Sequence, residues 1–326
     1  MFPRKYKKQN KIKRLILKLL NVYAFNKETL NLENPNYKNN NNNLIKFNDK
    51  SFNLSRGYLD LSRKIKSLDI YYRFAPNINL WNSTDRWKRI IPGITKETLI
   101  AVSLMSLKNT ILNFLENNDF EINLHLISDN SYQEFNNHIN RLLDNKKIKI
   151  ENYNSKIKGN RGSYLECCDQ AQNAKDLIFF IEDDYLFEKN CIDEMLTTYS
   201  RISSILNSDI VLCPTDYPFF YDSLYNTNIF IGKNYKWRSV GETLLTYMFS
   251  KEIFNKFIKE IKLVGEQEND PFERPLHDMY KSVNCLAPIN SLSYHISRTV
   301  PATTENWLKV WNENLKDYKN FNTNQR

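Results

Sequence analysis

Leu177-Ile178-Phe179-Phe180-Ile181-Glu182-Asp183-Asp184 sets five apolar residues directly against three carboxylates. An uninterrupted apolar run of this length predicts a strand buried on both faces, as in a mostly parallel α/β sheet. The acids then fall at the carboxyl edge of that sheet, where α/β folds place their ligands. Carboxylates packed this closely raise one another's pKa unless a cation neutralises them. Oxygen ligands suit Mg²⁺ or Mn²⁺, which also bridges the oxygens of a diphosphate. A divalent-metal centre is therefore expected at Glu182–Asp184, the competing reading being a solvated acidic turn that opens the next helix.

Working outward, strand and helix patterns alternate. On the N-terminal side lie a strand at IYYRF (70–74) and a helix over 96–117 with Thr95 as its N-cap. A strand at INLHLIS (122–128) ends in Asp129, and a helix runs on to about Arg141. A third strand is KIKIENY (147–153), and the polar turn KGNRGS leads into a helix to about Ala174. Beyond the acids, strands are predicted at 209–213, 244–249 and 289–296, with helices near 190–206, 250–262 and 276–283. The pattern predicts one α/β domain over residues 68–300.

The charge of this domain is balanced. Of 46 Lys+Arg, nine lie in the first 27 residues, which hold no acid; the remainder leaves 37 bases against 37 acids. That distribution argues against a nucleic-acid-binding body. Residues 11–25, KIKRLILKLLNVYAF, carry Ile12, Leu15, Ile16, Leu19, Leu20 and Tyr23 at helical spacing among lysines. Residues 1–30 thus read as a basic amphipathic arm, which either lies on an anionic membrane surface or packs on the body. Residues 31–67, with five consecutive Asn at 39–43, read as a linker and lead-in, and 301–326 as a C-terminal tail.

Seven glycines form neither GxGxxG nor GxxxxGK[ST], which removes the motif support for dinucleotide and P-loop sites. Five cysteines, odd in number and without a CxxC pair, point away from a disulfide scaffold and towards a reduced, cytoplasmic setting, peripheral to a membrane through the arm. No run of about 18 uncharged apolar residues occurs. The N-terminal apolar stretch is broken by Lys18 and lacks the small-residue cleavage site of a signal peptide.

The order of first strand, Asp-ended strand, glycine turn with helix, and apolar strand with EDD resembles the GT-A fold glycosyltransferases, in particular the family 2 type that uses nucleotide-sugar donors. The resemblance covers about residues 68–300. It implies a Rossmann-like, mostly parallel central sheet flanked by helices, with Mn²⁺ or Mg²⁺ held on the donor diphosphate. The family's acidic "DxD" triplet would be Glu182, Asp183 and Asp184, with Asp184 the direct ligand. Asp129 would contact the nucleotide base, an Asx-turn or helix cap being the alternative. Asn160, Arg161 and Gly162 would approach the donor, and Arg161 offers planar hydrogen bonds to the diphosphate. Tyr72 and Arg73 fall where the donor nucleotide stacks. Asp278 stands at the family's catalytic-base position, although His277 replaces the usual Glu, and Glu273, Asp270 and Glu242 remain alternatives. His295 on the last strand would complete the metal's coordination.

Two aromatic-rich segments, 214–223 and 234–243, suit an acceptor, because sugar C–H groups stack on aromatic faces. Asp216, Tyr217, Trp237, Arg238 and Glu242 are the acceptor candidates, ordinary core packing being the alternative. The expected reaction is inverting transfer from a nucleotide diphospho-sugar to a glycan or lipid-linked hydroxyl. A sugar-nucleotide nucleotidyltransferase is a second reading, but IYYRFAPNINLW lacks the Gly- and Lys-rich phosphate loop such an enzyme carries. A third is a non-catalytic, membrane-tethered module that binds nucleotide or glycan.

Overall fold

The computed structural model describes residues 37–47, 50–59, 61–77, 91, 93–221, 226–296 and 306–324. The chain begins with β1 (Tyr37–Phe47), β2 (Lys50–Leu59), β3 (Ser67–Phe74), α1 (Lys96–Leu115), β4 (Glu121–Ser128) and α2 (Gln133–Leu143). It continues through β5 (Lys149–Asn154), α3 (Asn160–Gln170), β6 (Leu177–Glu182), β7 (Tyr185–Phe187) and α4 (Cys191–Leu206). Next come β8 (Val211–Leu212), β9 (Ile229–Ile231), β10 (Lys236–Val240), β11 (Tyr247–Ser250), α5 (Lys251–Lys256) and α6 (Ile258–Glu266). The last are α7 (Arg274–Met279), β12 (Cys285–Pro288), β13 (Ser293–His295) and α8 (Trp307–Thr323).

The protein is α/β, with a nine-stranded sheet ordered β5-β4-β3-β6-β11-β8-β12-β10-β9. From β5 to β6 every pairing is parallel. Beyond β6 the sheet is mixed: β11 runs antiparallel to β6 and β8, β12 is parallel to β8, and β10 and β9 are antiparallel. The run Leu177–Ile181 is buried along its whole length, as expected of a strand covered on both faces. Arg73 pairs in register with Glu182, and Phe74 with Ser128, so β3, β4 and β6 end together at one edge.

Alternation along β3 sends its side chains to two different layers. Tyr72, on one face, bonds Ser103 of α1; Tyr71 and Arg73, on the other, reach Gln170 and Asn160 of α3. Helix α1 starts where expected, with Thr95 Oγ1 accepting from Thr98 N–H at 3.2 Å. By length and hydropathy it qualifies as a membrane span, yet most of it is buried inside the protein, packed against α8 and β7.

Several sequence expectations change. The Asn tract read as linker forms β1, paired antiparallel with β2, because a backbone ladder needs no apolar side chains. The expected strand 289–296 shortens to β13, which pairs with β7 in a separate two-stranded sheet. The helix expected over 250–262 is divided into α5 and α6, and the C-terminal tail contains α8, whose Val310 and Trp311 are buried. The basic stretch 11–25 lies outside the described residues.

Candidate active site

The EDD turn sits at the carboxyl edge of the parallel strands, and each of its acids meets a nitrogen group brought from elsewhere in the chain. Glu182 Oε1 accepts from Arg73 Nη2 at 2.5 Å, one strand away. Asp183 Oδ1 accepts from Lys96 Nζ at 2.5 Å, and its Oδ2 from the Ala75 N–H at 3.0 Å. Asp184 Oδ2 lies 3.1 Å from His295 Nε2. Backbone bonds hold this arrangement: Glu182 N–H donates to Thr246 Oγ1 at 3.2 Å, and Ile296 N–H to the Asp184 carbonyl at 2.8 Å. The His295 ring stacks on Tyr185, its register partner on β7, at 4.8 Å and 22°. Tyr185 OH meets Tyr217 OH at 2.6 Å, which carries the brace into the loop after β8.

These contacts set the protonation of the site. Burial pushes the Glu182 carboxyl up to about 7, with Arg73 pulling the other way. Burial also raises Asp183, opposed by Lys96. For His295, burial works against the charged imidazole, but the neighbouring Asp184 outweighs it and holds the ring above its usual value.

The carboxylates of the turn are the candidate ligands of a divalent ion, and each already faces a nitrogen group. Among the described residues no group of three or more His, Cys, Asp or Glu side chains is arranged to hold a metal. Glu182 is paired with Arg73, Asp183 with Lys96 and Asp184 with His295, and only the last pair consists of two side chains that could both ligate a metal. Adjacent ligands of an octahedral ion with bonds of about 2.1 Å lie about 3.0 Å apart. The 3.1 Å between Asp184 Oδ2 and His295 Nε2 is a hydrogen-bonded ion pair of similar length, so an ion binding there would displace the proton between them. One carboxylate and one imidazole would leave the remaining positions to phosphate oxygens and water, the imidazole nitrogen suiting Mn²⁺ better than Mg²⁺.

Around this centre, Asp129 at the end of β4 is 2% exposed, and its Oδ2 accepts from the Gly159 N–H at 2.8 Å. Its Oδ1 has no hydrogen-bond partner among the described residues. Gly159 has φ +95°, which a side chain would strain, and a Cβ on Gly162 would lie 1.9 Å from the Ile157 carbonyl oxygen. Those two glycines let the turn fold back under α3. There Arg73 Nη1 donates to the Asn160 carbonyl at 3.1 Å and to the Asn160 side chain. Arg73, Asp129 and Asn160 thus form one braced unit, with Arg161 exposed beside it.

The other candidates separate. Tyr72 is fully buried, with its hydroxyl on Ser103 at 2.9 Å, so it belongs to the core under α1. Tyr217 and Trp237 are fully buried as well, and Trp237 Nε1 donates to Glu194 Oε1 at 3.3 Å. Arg238 pairs with the buried Asp216 and lies over the rings of Phe220 and Tyr221 at 4.9 and 4.3 Å; Tyr221 is 51% exposed. Glu242 is half-buried in the turn after β10. Asp278 is exposed and paired with Lys281 and Arg274, and Lys281 holds its carboxyl below the usual range. Glu273, the residue before α7, is half-buried instead, its carboxyl raised by burial and within the fields of Arg73 and His295. Lys96 escaped the sequence reading because a lysine in a first helical turn looks like surface; the only signal was its place beside the Thr95 cap.

The sequence matches no family model and no curated protein. Solved structures resemble it in fold at low identity. UDP-glucose pyrophosphorylase complexed with UDP-glucose aligns over 79% of this chain and 99% of its own, at 12% identity and TM-score 0.43. The glycosyltransferase GlyE of Streptococcus pneumoniae TIGR4 aligns over 78% of this chain and 64% of its own, at 9% identity and TM-score 0.44. S. aureus TarS 1–349 aligns over 78% and 65%, at 10% identity and TM-score 0.40. No residue-by-residue correspondence follows at these values.

Proposed function

We propose that the protein is a glycosyltransferase that moves a sugar from a nucleotide diphospho-sugar to a hydroxyl of a glycan or lipid-linked acceptor. The observation that carries this reading is the meeting of Asp184 and His295 at the carboxyl edge of the parallel strands, a donor pair suited to one divalent ion. When bound there, Mn²⁺ or Mg²⁺ supplies positive charge to the leaving nucleoside diphosphate. Asp129 Oδ1 offers a buried acceptor for an N–H of the nucleobase, and exposed Arg161 a fork for phosphate oxygens. Glu273, rather than Asp278, is the base that takes the acceptor proton, because its raised pKa brings it closer to neutral pH while Asp278 is held as an exposed ion-paired anion. A single base acting on the acceptor implies inversion. Tyr221 and Arg238 border the acceptor side, and the basic arm of residues 1–30 keeps the enzyme on an anionic cytoplasmic membrane face.

Calorimetric titration with UDP, GDP and CDP, each with Mn²⁺, tests the reading. One nucleotide is expected to bind in a metal-dependent manner that EDTA abolishes. Absence of binding by all three would leave a non-catalytic module as the better account.

A further inference from the structure

Lysine is almost never buried without a partner, and Lys96 is 7% exposed. It also occupies the first turn of α1, where the helix dipole disfavours a cation. Both costs are offset at one place, the carboxylate of Asp183, 2.5 Å away. Asp183 in turn has both oxygens in use, Oδ1 on Lys96 and Oδ2 on the Ala75 N–H. Arg73 and Glu182 repeat the pattern one residue earlier, with the guanidinium 6% exposed and further bonded to Asn160.

We propose that Lys96 and Arg73 are built-in counter-ions of Asp183 and Glu182, so that Asp183 balances charge beside the donor site without being a ligand of metal or donor. The Lys96–Asp183 pair also ties the EDD turn to the start of α1 and the end of β3. This inference rests on the one-ion reading of the donor site for its metal arm, while its charge-pairing arm stands apart from that reading.

The test is a double-mutant cycle on the full chain, using Lys96→Met, Asp183→Asn and the double variant, with Mn²⁺ alone as probe by electron paramagnetic resonance. Asn at 183 still accepts the Ala75 N–H, and Met fills the volume of the lysine stem. Removing the ammonium is expected to tighten Mn²⁺ binding by at least about threefold. Asp183→Asn alone should weaken it to a similar degree, and the double variant should return to within about twofold of the parent, since both charges are then gone. A double variant as weak as Asp183→Asn would make Asp183 a ligand and overturn the proposal. Melting temperature in metal-free buffer supplies the second arm: both single variants should melt lower, and the double variant should recover most of the loss. If the parent binds no Mn²⁺, the donor-site reading fails while this arm still decides the pairing, and no recovery in the double variant would overturn it.

Discussion

His295 Nε2 lies 3.1 Å from Asp184 Oδ2 although 111 positions separate them in the chain. The contact is held from both sides. Ile296 N–H bonds the Asp184 carbonyl at 2.8 Å, and Tyr185 stacks under the imidazole. On the proposed reading of the site, contacts of this kind would fix the orientation of the two side chains before an ion binds.

Removing either member of the pair should disable the ion without unfolding the protein. His295→Ala is expected to weaken Mn²⁺ by about 10–100-fold, and Asp184→Ala by at least as much. Direct Mn²⁺ titration with circular dichroism as the folding control checks this. Unchanged affinity in both variants would place the ion elsewhere.

The two acids near α7 should behave in opposite ways. Glu273→Gln is expected to lower kcat by about 10²–10⁴-fold with little change in donor affinity, as for loss of a general base. Its raised pKa places the acidic limb of the kcat/KM profile above the normal glutamate range, with activity falling as pH drops through it. Asp278→Asn, which alters only an exposed pair with Lys281 and Arg274, should leave kcat within about twofold and the denaturant midpoint unchanged. Transfer assays on both variants across pH decide the assignment, and the reverse result would restore Asp278 as base.

Glu182 should make metal-free stability depend on pH. Its carboxyl moves from 4.5 to about 7 on folding, so the folded state keeps a proton that the unfolded chain releases. This contribution is fully present below pH 4.5 and is lost as pH rises through about 7. Urea midpoints at about pH 5 and about pH 7.5 should therefore fall with pH, and Glu182→Gln should flatten part of the slope. Equal slopes in the two proteins would contradict the shift.

Glu194 of α4 should be a stability hot spot remote from the chemistry. Only 1% exposed, it accepts from the backbone N–H groups of Lys233 at 2.9 Å and Asn234 at 2.8 Å, as well as from Trp237 Nε1. Glu194→Ala removes the acceptor of the buried Trp237 Nε1 and the shared acceptor of the more exposed N–H groups of Lys233 and Asn234, and a loss of about 2 kcal/mol is expected. Gly232→Ala should also destabilise, because its Cβ would lie 2.5 Å from Glu194 Oε1. Denaturant unfolding measures both; a change below about 0.5 kcal/mol for Glu194→Ala would refute the hub.

Patterns local in sequence proved legible. The apolar run before the acids, the Thr95 cap and the glycine turn each state a local demand, for burial, for an N–H acceptor or for unusual backbone, and the folded chain meets them at those positions. The short strands of the mixed half were only partly legible: β8 and β13 lie inside stretches expected as strands, whereas β9, β10 and β12 were not expected. β9 has three residues and β12 four, too few for a period-2 pattern to stand out. Candidate contact residues were harder still: Tyr72, Tyr217 and Trp237 are aromatic in sequence whether they face a ligand or the core, and all three are buried.

What the amino-acid order determined alone was the α/β alternation, a carboxylate edge after a buried strand, and a neutral body behind a basic arm. Hydrophobic periodicity and charge counting are properties of neighbouring residues, so they need no tertiary information. Which nitrogen meets which acid was decided only by the tertiary structure. Arg73 reaches Glu182 because β3 and β6 pair in that register, Lys96 reaches Asp183 because α1 starts over the same edge, and His295 reaches Asp184 because β13 pairs with β7. Those meetings depend on strand register and chain crossing over distances of up to 111 residues, which local patterning leaves open.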